Sequence, residues 1–364
     1  MHNQMNRIYG FDTARAVAIL GMVIVNYKIA LNATEEGDAW LVYFTTLLEG
    51  RASAVFVILA GIGITLMTRK VRLSQDDVSL KSARIQIWKR SLFLLGLGML
   101  LLLCGWRADI LHYYAFYLVV GSFFIEKSSR VLVWTLCAIL GISQILLLVL
   151  DYTWGWDASF QNFEAFWTAT GFISNLLFNG YHPIFPWVCF LLLGMWLGRV
   201  DLKDTLIRKK LAIGALIGFV LVEFCSALLI YFSSPVIGLE IAQYLFQTKP
   251  MPPNLFYMLS SSCTAILTIL GCIYLSERST FQNWLSPWVY TGQLALTHYV
   301  GHFLLLTILY LVGYSDVTLW IAVLISFLFF LGAMLFSSIW RRFYKRGPIE
   351  FMMRKMSSVI DKEQ

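Results

Sequence analysis

The chemistry in this chain is concentrated where polar residues interrupt long apolar runs. Three histidines are the candidates: His182 in NGYHPIFPWVCF, and His298 and His302 four apart in TGQLALTHYVGH. A neutral imidazole needs the smallest pKa adjustment to act as a base near pH 7. Two histidines at i and i+4 share a helix face and can bind a metal, yet no HExxH pattern or carboxylate accompanies them, so no metal is expected. The carboxylates are Asp12, three residues before Arg15 in FDTAR; Glu49, which with Arg51 flanks Gly50; Asp109, after Trp106 and Arg107 in RADILHYY; and Glu223 in LVEFCSALL. Asn26 in VIVNY adds a lone amide, with Tyr27 beside it, and Tyr299 follows His298. Ionisable groups at membrane depth are costly, so those that persist mark functional sites by default. Each also has a structural reading. Asp12 and Arg15 make a helix-entry salt bridge, Asn26 a helix–helix hydrogen bond, His298 a buried imidazole on a carbonyl, and Glu223 a protonated acid bonded to a neighbouring helix.

The elements that must position these groups follow from composition. The 364 residues are 59% hydrophobic and only 13% charged, with a mean hydropathy of +0.70, which excludes a soluble enzyme. Runs long enough to cross a hydrocarbon core fall at roughly residues 13–32, 46–68, 91–106, 111–125, 131–150, 182–198, 211–232, 256–275, 288–312 and 319–340. The fold class expected is therefore all-α, a polytopic membrane bundle of about ten spans held in one domain over 1–340, with a basic tail over 341–364. All Lys and Arg except Lys28, Arg51, Arg107 and Lys249 fall in one set of loops, which by the positive-inside rule puts both termini in the cytoplasm. The Lys- and Arg-free, aromatic-rich stretch from Asp151 to Trp187 suits an outward loop at the interface. Six cysteines lie singly in apolar runs, with no CxxC spacing for a zinc site or disulfide framework. The net charge of +7 is a topological signal, and no nucleic-acid partner is expected. GLGM at 96–99 lies inside an apolar helix and reads as packing rather than a phosphate loop. With this topology Asn26, Glu49, Arg51, Asp109 and His182 converge on the outer half of the membrane, with His298 and His302 at or above its midplane. That describes a polar pocket opening outward and leaves enzyme and transporter both open.

Six strings, in order, resemble the YeiB-like bacterial membrane proteins: RIYGFDTARAVAILGMVIVNY, EGRASAVFVILAGIGITL, ADILHYYAFYLVVG, YHPIFPWVCFLLLGMWLGR, GQLALTHYVGH and RGPIEFMMR. The same order is similar to heparan-alpha-glucosaminide N-acetyltransferase and its bacterial relatives. The resemblance implies an integral inner-membrane acyltransferase. It would move an acyl group, usually acetyl, from cytoplasmic acyl-CoA to a hydroxyl or amine, typically of a sugar or glycan, on the outer side. Such transfer needs a base for the acceptor's proton and donors for the developing oxyanion. The resemblance gives Asn26 and His302 active-site roles, Arg51 that of charge partner or oxyanion donor, and Asp109 that of its orienting carboxylate. His298, Glu49, Glu223, Tyr27 and Tyr299 would complete the substrate pocket. The acetyltransferase relatives carry a catalytic His in the loop after VNY. This chain has Lys28, Asn32, Glu35, Glu36 and Asp38 there instead, which shifts the base to His182 or His302. Arg84, Lys89, Arg90, Arg341, Arg342, Lys345 and Arg346 are the candidates for the CoA phosphates, alongside their role in topology and against anionic headgroups. A second copy of the chain is allowed as a partner.

Two rival readings use the same residues. A proton-coupled transporter or flippase would use Glu223 and the histidines as a relay, though no internal repeat or pair of broken helices of the transporter kind is evident in the sequence. A non-catalytic membrane scaffold would retain the fold and lack the loop histidine.

Overall fold

The computed structural model describes residues 8–33, 37–74, 76–278, 280 and 282–358. Glu35 and Glu36 lie outside the described residues. In chain order the helices are α1 (Tyr9–Ala30), α2 (Ala39–Leu48), α3 (Arg51–Met67), α4 (Arg69–Ser74), α5 (Asp77–Leu103), α6 (Leu111–Ser122), α7 (Ser129–Val149), α8 (Ala169–Ser174), α9 (Ile184–Leu197), α10 (Thr205–Ile237), α11 (Leu239–Phe246), α12 (Leu255–Glu277), α13 (Gln282–Gln293), α14 (Ala295–Leu311), α15 (Leu319–Phe343) and α16 (Pro348–Ser358). No β-strand occurs among the described residues, so the chain is all-helical, as its apolar runs predict. Helix starts follow local chemistry. Asp76 accepts the Ser79 N–H at 2.9 Å ahead of α5, Ser128 accepts that of Val131 ahead of α7, and Asp204 that of Leu206 at 2.7 Å ahead of α10.

Among the described residues seven helices are long and apolar enough to cross a membrane: α1, α2 with α3, α5, α7, α10, α12 and α15. Two bent pairs bring the number to nine: the 169–179 segment with α9, bent by 46°, and α13 with α14, bent by 82°. The tenth expected span is α6, which is helical over only 12 residues, about 18 Å at 1.5 Å per residue and short of a full crossing. Helix α10 buries only Arg208, Ala215 and Ser226, and its exposed Leu, Val and Phe side chains match a lipid solvent.

The chain divides into two compact units, residues 1–56 with 264–352, and residues 57–263 with 353–364. In the first, α1 packs against α2, α13, α14 and α15. The break between α13 and α14 has an identifiable cause. Gly292 lies against the Asp12 backbone carbonyl, where a Cβ would have no room, and the Gln293 side-chain N–H donates to Asp12 Oδ2 at 3.2 Å. Beyond the break, Glu350 Oε1 accepts the backbone N–H groups of Leu296 at 2.8 Å and Thr297 at 3.0 Å, satisfying donors a helix start leaves open. In the second unit, α5 packs on α6, α6 and α7 on α9, and α10 on α11.

Candidate functional site

Within the first unit the structure brings together residues far apart in sequence. Asn26 Nδ2 donates to His302 Nε2 at 3.1 Å, and the Tyr27 hydroxyl donates to the His302 carbonyl at 3.0 Å. The Tyr27 and His302 rings stack with centroids 6.2 Å apart, and Tyr299 lies 5.0 Å from His302 on its own helix. All three rings are buried. His298, one turn earlier, bonds instead to the Ser337 hydroxyl of α15 at 2.6 Å, so the two histidines engage different neighbouring helices. Lys28 donates to Glu49 Oε1 at 3.0 Å. Arg51 opens α3 and is buried. Asp12 accepts from Arg15 at 2.7 Å.

The second unit holds a nest of aromatic and imidazole rings at the start of α6. Asp109 Oδ2 accepts both the backbone N–H of His112 and its Nδ1–H, each at 2.9 Å. Both side chains are buried, at 0% and 1% exposure. No protein group among the described residues hydrogen-bonds His112 Nε2. The Tyr113 ring lies 3.8 Å from that of His112, centroid to centroid, and 6.0 Å from that of His182. His182 in turn stands edge-on to Trp187 at 4.5 Å. Like His112 Nε2, His182 Nδ1 and Trp187 Nε1 are buried with no hydrogen-bonding partner among the described groups. The nest is fixed from below by hydroxyls: Tyr113 donates to Asn175 Oδ1, Tyr117 to the His182 carbonyl, and Tyr152 to the Gly180 carbonyl at 3.0 Å. Burial pushes the Tyr152 hydroxyl well above its ordinary range, so it stays a donor.

A cavity of about 660 Å³ adjoins this nest, and Arg107, Asn162, Glu164, Phe166, Asn175 and Tyr181 are in its wall. The loop that builds it is ordered by Asp157, which accepts from Ser159 Oγ, the Gln161 N–H and the Asn162 side chain. Gly155, at φ +82°, permits the turn that pairs Trp156 with Phe163. Two cavity residues also belong to the nest. Phe166 stands edge-on to His112 at 6.0 Å, and Asn175 holds Tyr113.

The remaining candidates are placed as follows. Glu223 accepts hydroxyls from Thr248 at 2.9 Å and Ser260 at 2.6 Å. Arg84 donates to the Ser122 carbonyl at 3.2 Å and pairs with Glu126 at 3.4 Å. Arg90 donates to the Met67 sulfur, Arg341 donates to the Lys345 carbonyl and lies over the Tyr290 ring, Lys89 is half-buried and Arg342 exposed. Among the described residues no group of three or more His, Cys, Asp or Glu side chains is placed to hold a metal ion. Sequence reasoning passed over His112. The available signal was an Asp and a His three apart across a helix start, a spacing that lets the carboxylate reach the ring.

Compared with known proteins, residues 7–236 match the family described as heparan-alpha-glucosaminide N-acetyltransferase, catalytic, over more than half of the chain. Residues 194–359 match the family described as protein of unknown function (DUF418). No curated protein matches the chain.

Proposed function

The chain belongs to the heparan-alpha-glucosaminide N-acetyltransferase catalytic family, a membrane acetyltransferase type, and from that premise we propose that it moves an acetyl group from acetyl-CoA on the cytoplasmic side to a hydroxyl or amine, of a sugar or glycan, on the outer side of a bacterial inner membrane. Acyl transfer has two electrostatic demands: a donor for the oxyanion that forms on the acyl carbonyl, and a base for the proton the acceptor loses. The observation that carries the reading is the part-buried pairing of Asn26 with His302. Because the Asn26 amide donates to Nε2, the neutral ring carries its proton on Nδ1 and is a hydrogen-bond donor. In this proposal His302 donates to the acyl oxygen, Arg51 adds positive charge at the start of α3, and Tyr27, Tyr299, Glu49 and His298 hold the surrounding pocket. A neutral imidazole donor with a fixed tautomer costs no proton transfer to deploy.

For the donor, the exposed Arg342, Lys345 and Arg346 of the first unit are the cations best able to receive CoA phosphates, and the half-buried Lys89 of the second unit is a separate candidate. Arg84, Arg90 and Arg341 already bond within the protein and would have to exchange partners. Glu223, bonded by two hydroxyls, has a structural role that is sufficient for it.

The test is thiol release from acetyl-CoA by the purified protein in liposomes, with glucosamine as acceptor probe. The expected result is acceptor-dependent release of free CoA and recovery of an acetylated product. Gradient-driven glucosamine uptake with no acetyl-CoA consumed would overturn the reading in favour of transport.

A further inference from the structure

The cavity of about 660 Å³ carries two charges that acyl transfer does not use, Arg107 and Glu164. Every residue of its wall lies between 102 and 181, inside the second unit, so it is a site by itself. We propose that it binds a phospholipid headgroup of the phosphoethanolamine type, in which a short linker joins a phosphate to a primary ammonium.

The charges call for a zwitterion. Both residues are exposed, and neither side chain makes a hydrogen bond or ion pair among the described residues. The planar fork of a guanidinium suits a phosphate, and a carboxylate suits an ammonium. A ligand carrying one sign alone would be repelled by Glu164 or by Arg107, so the pair selects a molecule with both.

The ammonium must also be able to donate. Asn162, in the same wall, donates through Nδ2 to Asp157 Oδ2 at 2.7 Å. That bond fixes the amide, since a flip would set oxygen against oxygen. Its Oδ1 is thereby held as an acceptor, and the atom is buried with no donor among the described groups, an arrangement that is destabilising unless something fills it. A primary ammonium has N–H groups enough for Oδ1 and Glu164 together. A quaternary ammonium has none, which separates phosphoethanolamine from phosphocholine.

The apolar part of the wall selects a lipid over a free solute. Leu102 and Leu103 end α5, a helix long and apolar enough to cross a membrane, and Leu103 is 69% exposed. Acyl chains attached to the headgroup can leave along that helix. Trp167 is 64% exposed and stands edge-on to Phe166 at 5.1 Å; an indole so placed marks headgroup depth. The Tyr181 hydroxyl donates to the carbonyls of Phe160 and Gln161, which leaves only its ring to the ligand. The volume falls within the range of small-molecule sites, about 300–1,000 Å³, with room for the headgroup and its glycerol. Such a site holds its lipid whether or not the chain transfers acetyl groups.

The test uses delipidated full-length protein in detergent. Dioleoyl phosphatidylethanolamine, phosphatidylcholine and phosphatidylglycerol are added in mixed micelles, and bound lipid is counted by native mass spectrometry. Phosphatidylethanolamine should be retained saturably and should raise the melting temperature, as any ligand selective for the native state does. The other two lipids should bind about tenfold more weakly or worse. Arg107→Gln and Glu164→Gln should each weaken phosphatidylethanolamine binding by about tenfold without moving the lipid-free melting temperature. Glu164→Lys should turn the preference towards phosphatidylglycerol, a gain that misfolding cannot produce. Equal retention of the three lipids, or a Glu164→Lys protein with the wild-type preference, overturns the site. Soluble phosphoethanolamine that binds as tightly as the lipid overturns the lipid as occupant in favour of a free zwitterion.

Discussion

Glu350 holds Thr297 at two points: Oε1 accepts its backbone N–H at 3.0 Å and Oε2 its hydroxyl at 2.5 Å. A carboxylate from α16 thus closes the first turn of α14, the helix that carries His298 and His302. Charge-assisted hydrogen bonds at a helix start are among the stronger local contributions. Glu350→Ala should cost about 1–3 kcal/mol, read as a lowered melting temperature in detergent. Glu350→Gln, which keeps one acceptor oxygen, should lose less; an equal loss in both would assign the effect to packing.

Asn26→Ala removes the amide that sets the His302 tautomer. Acetyl transfer should fall by more than tenfold while the folded fraction, judged by gel filtration, stays within the wild-type range. Unchanged transfer would remove His302 from the oxyanion side of the reaction.

Two glycines on α5 make a paired test. Gly98 lies against the Asp109 carboxylate and the His112 backbone nitrogen, whereas a Cβ on Gly96 meets nothing within 4 Å. Gly98→Ala should destabilise by about 1–3 kcal/mol through overpacking. Gly96→Ala should be neutral or stabilising by up to about 1 kcal/mol from helix propensity. Similar melting temperatures for the two variants would contradict the close approach.

The Asp76 carboxyl, ahead of α5, is held below its ordinary value of 3.8 chiefly by the Ser79 hydroxyl and then by the Ser79 backbone N–H. A carboxyl whose pKa is depressed by folding stabilises the fold above its unfolded pKa and loses that contribution as pH falls through the folded one. The melting difference between wild type and Asp76→Ala should therefore be constant from neutral pH down to about pH 4 and shrink below it. A difference that persists unchanged in acid would show that the cap does not act through the ionised carboxylate.

The spans were legible because apolar length is a property of short windows: every run read from the sequence contains a helix in the structure. What stayed hidden depends on partners distant in the chain. The break at Leu294 interrupts a continuous apolar run, and its causes are Asp12 and Glu350, at opposite ends of the sequence. Asn26 and His302 were both nominated, yet their hydrogen bond joins positions 276 apart, which no local pattern specifies. His112 was missed for the reverse reason. Its partner is three residues away, but the pair spans a non-helical turn into α6, where helix periodicity gives no sign that two side chains meet. The apolar run of α6 likewise continues past its helical end at Ser122, where the backbone passes into tighter turns through Phe123 and Phe124.

The division of the first unit between residues 1–56 and 264–352 also orders events during synthesis. Helix α1 enters the membrane with Asp12 and Asn26 while Gln293 and His302 have yet to be translated, and the second unit's long segment, 57–263, must be made in between. Polar side chains are expensive to leave unsatisfied in lipid, and domains generally form as units in the order they emerge. The bond from Asn26 to His302 therefore forms only after α14 has been made.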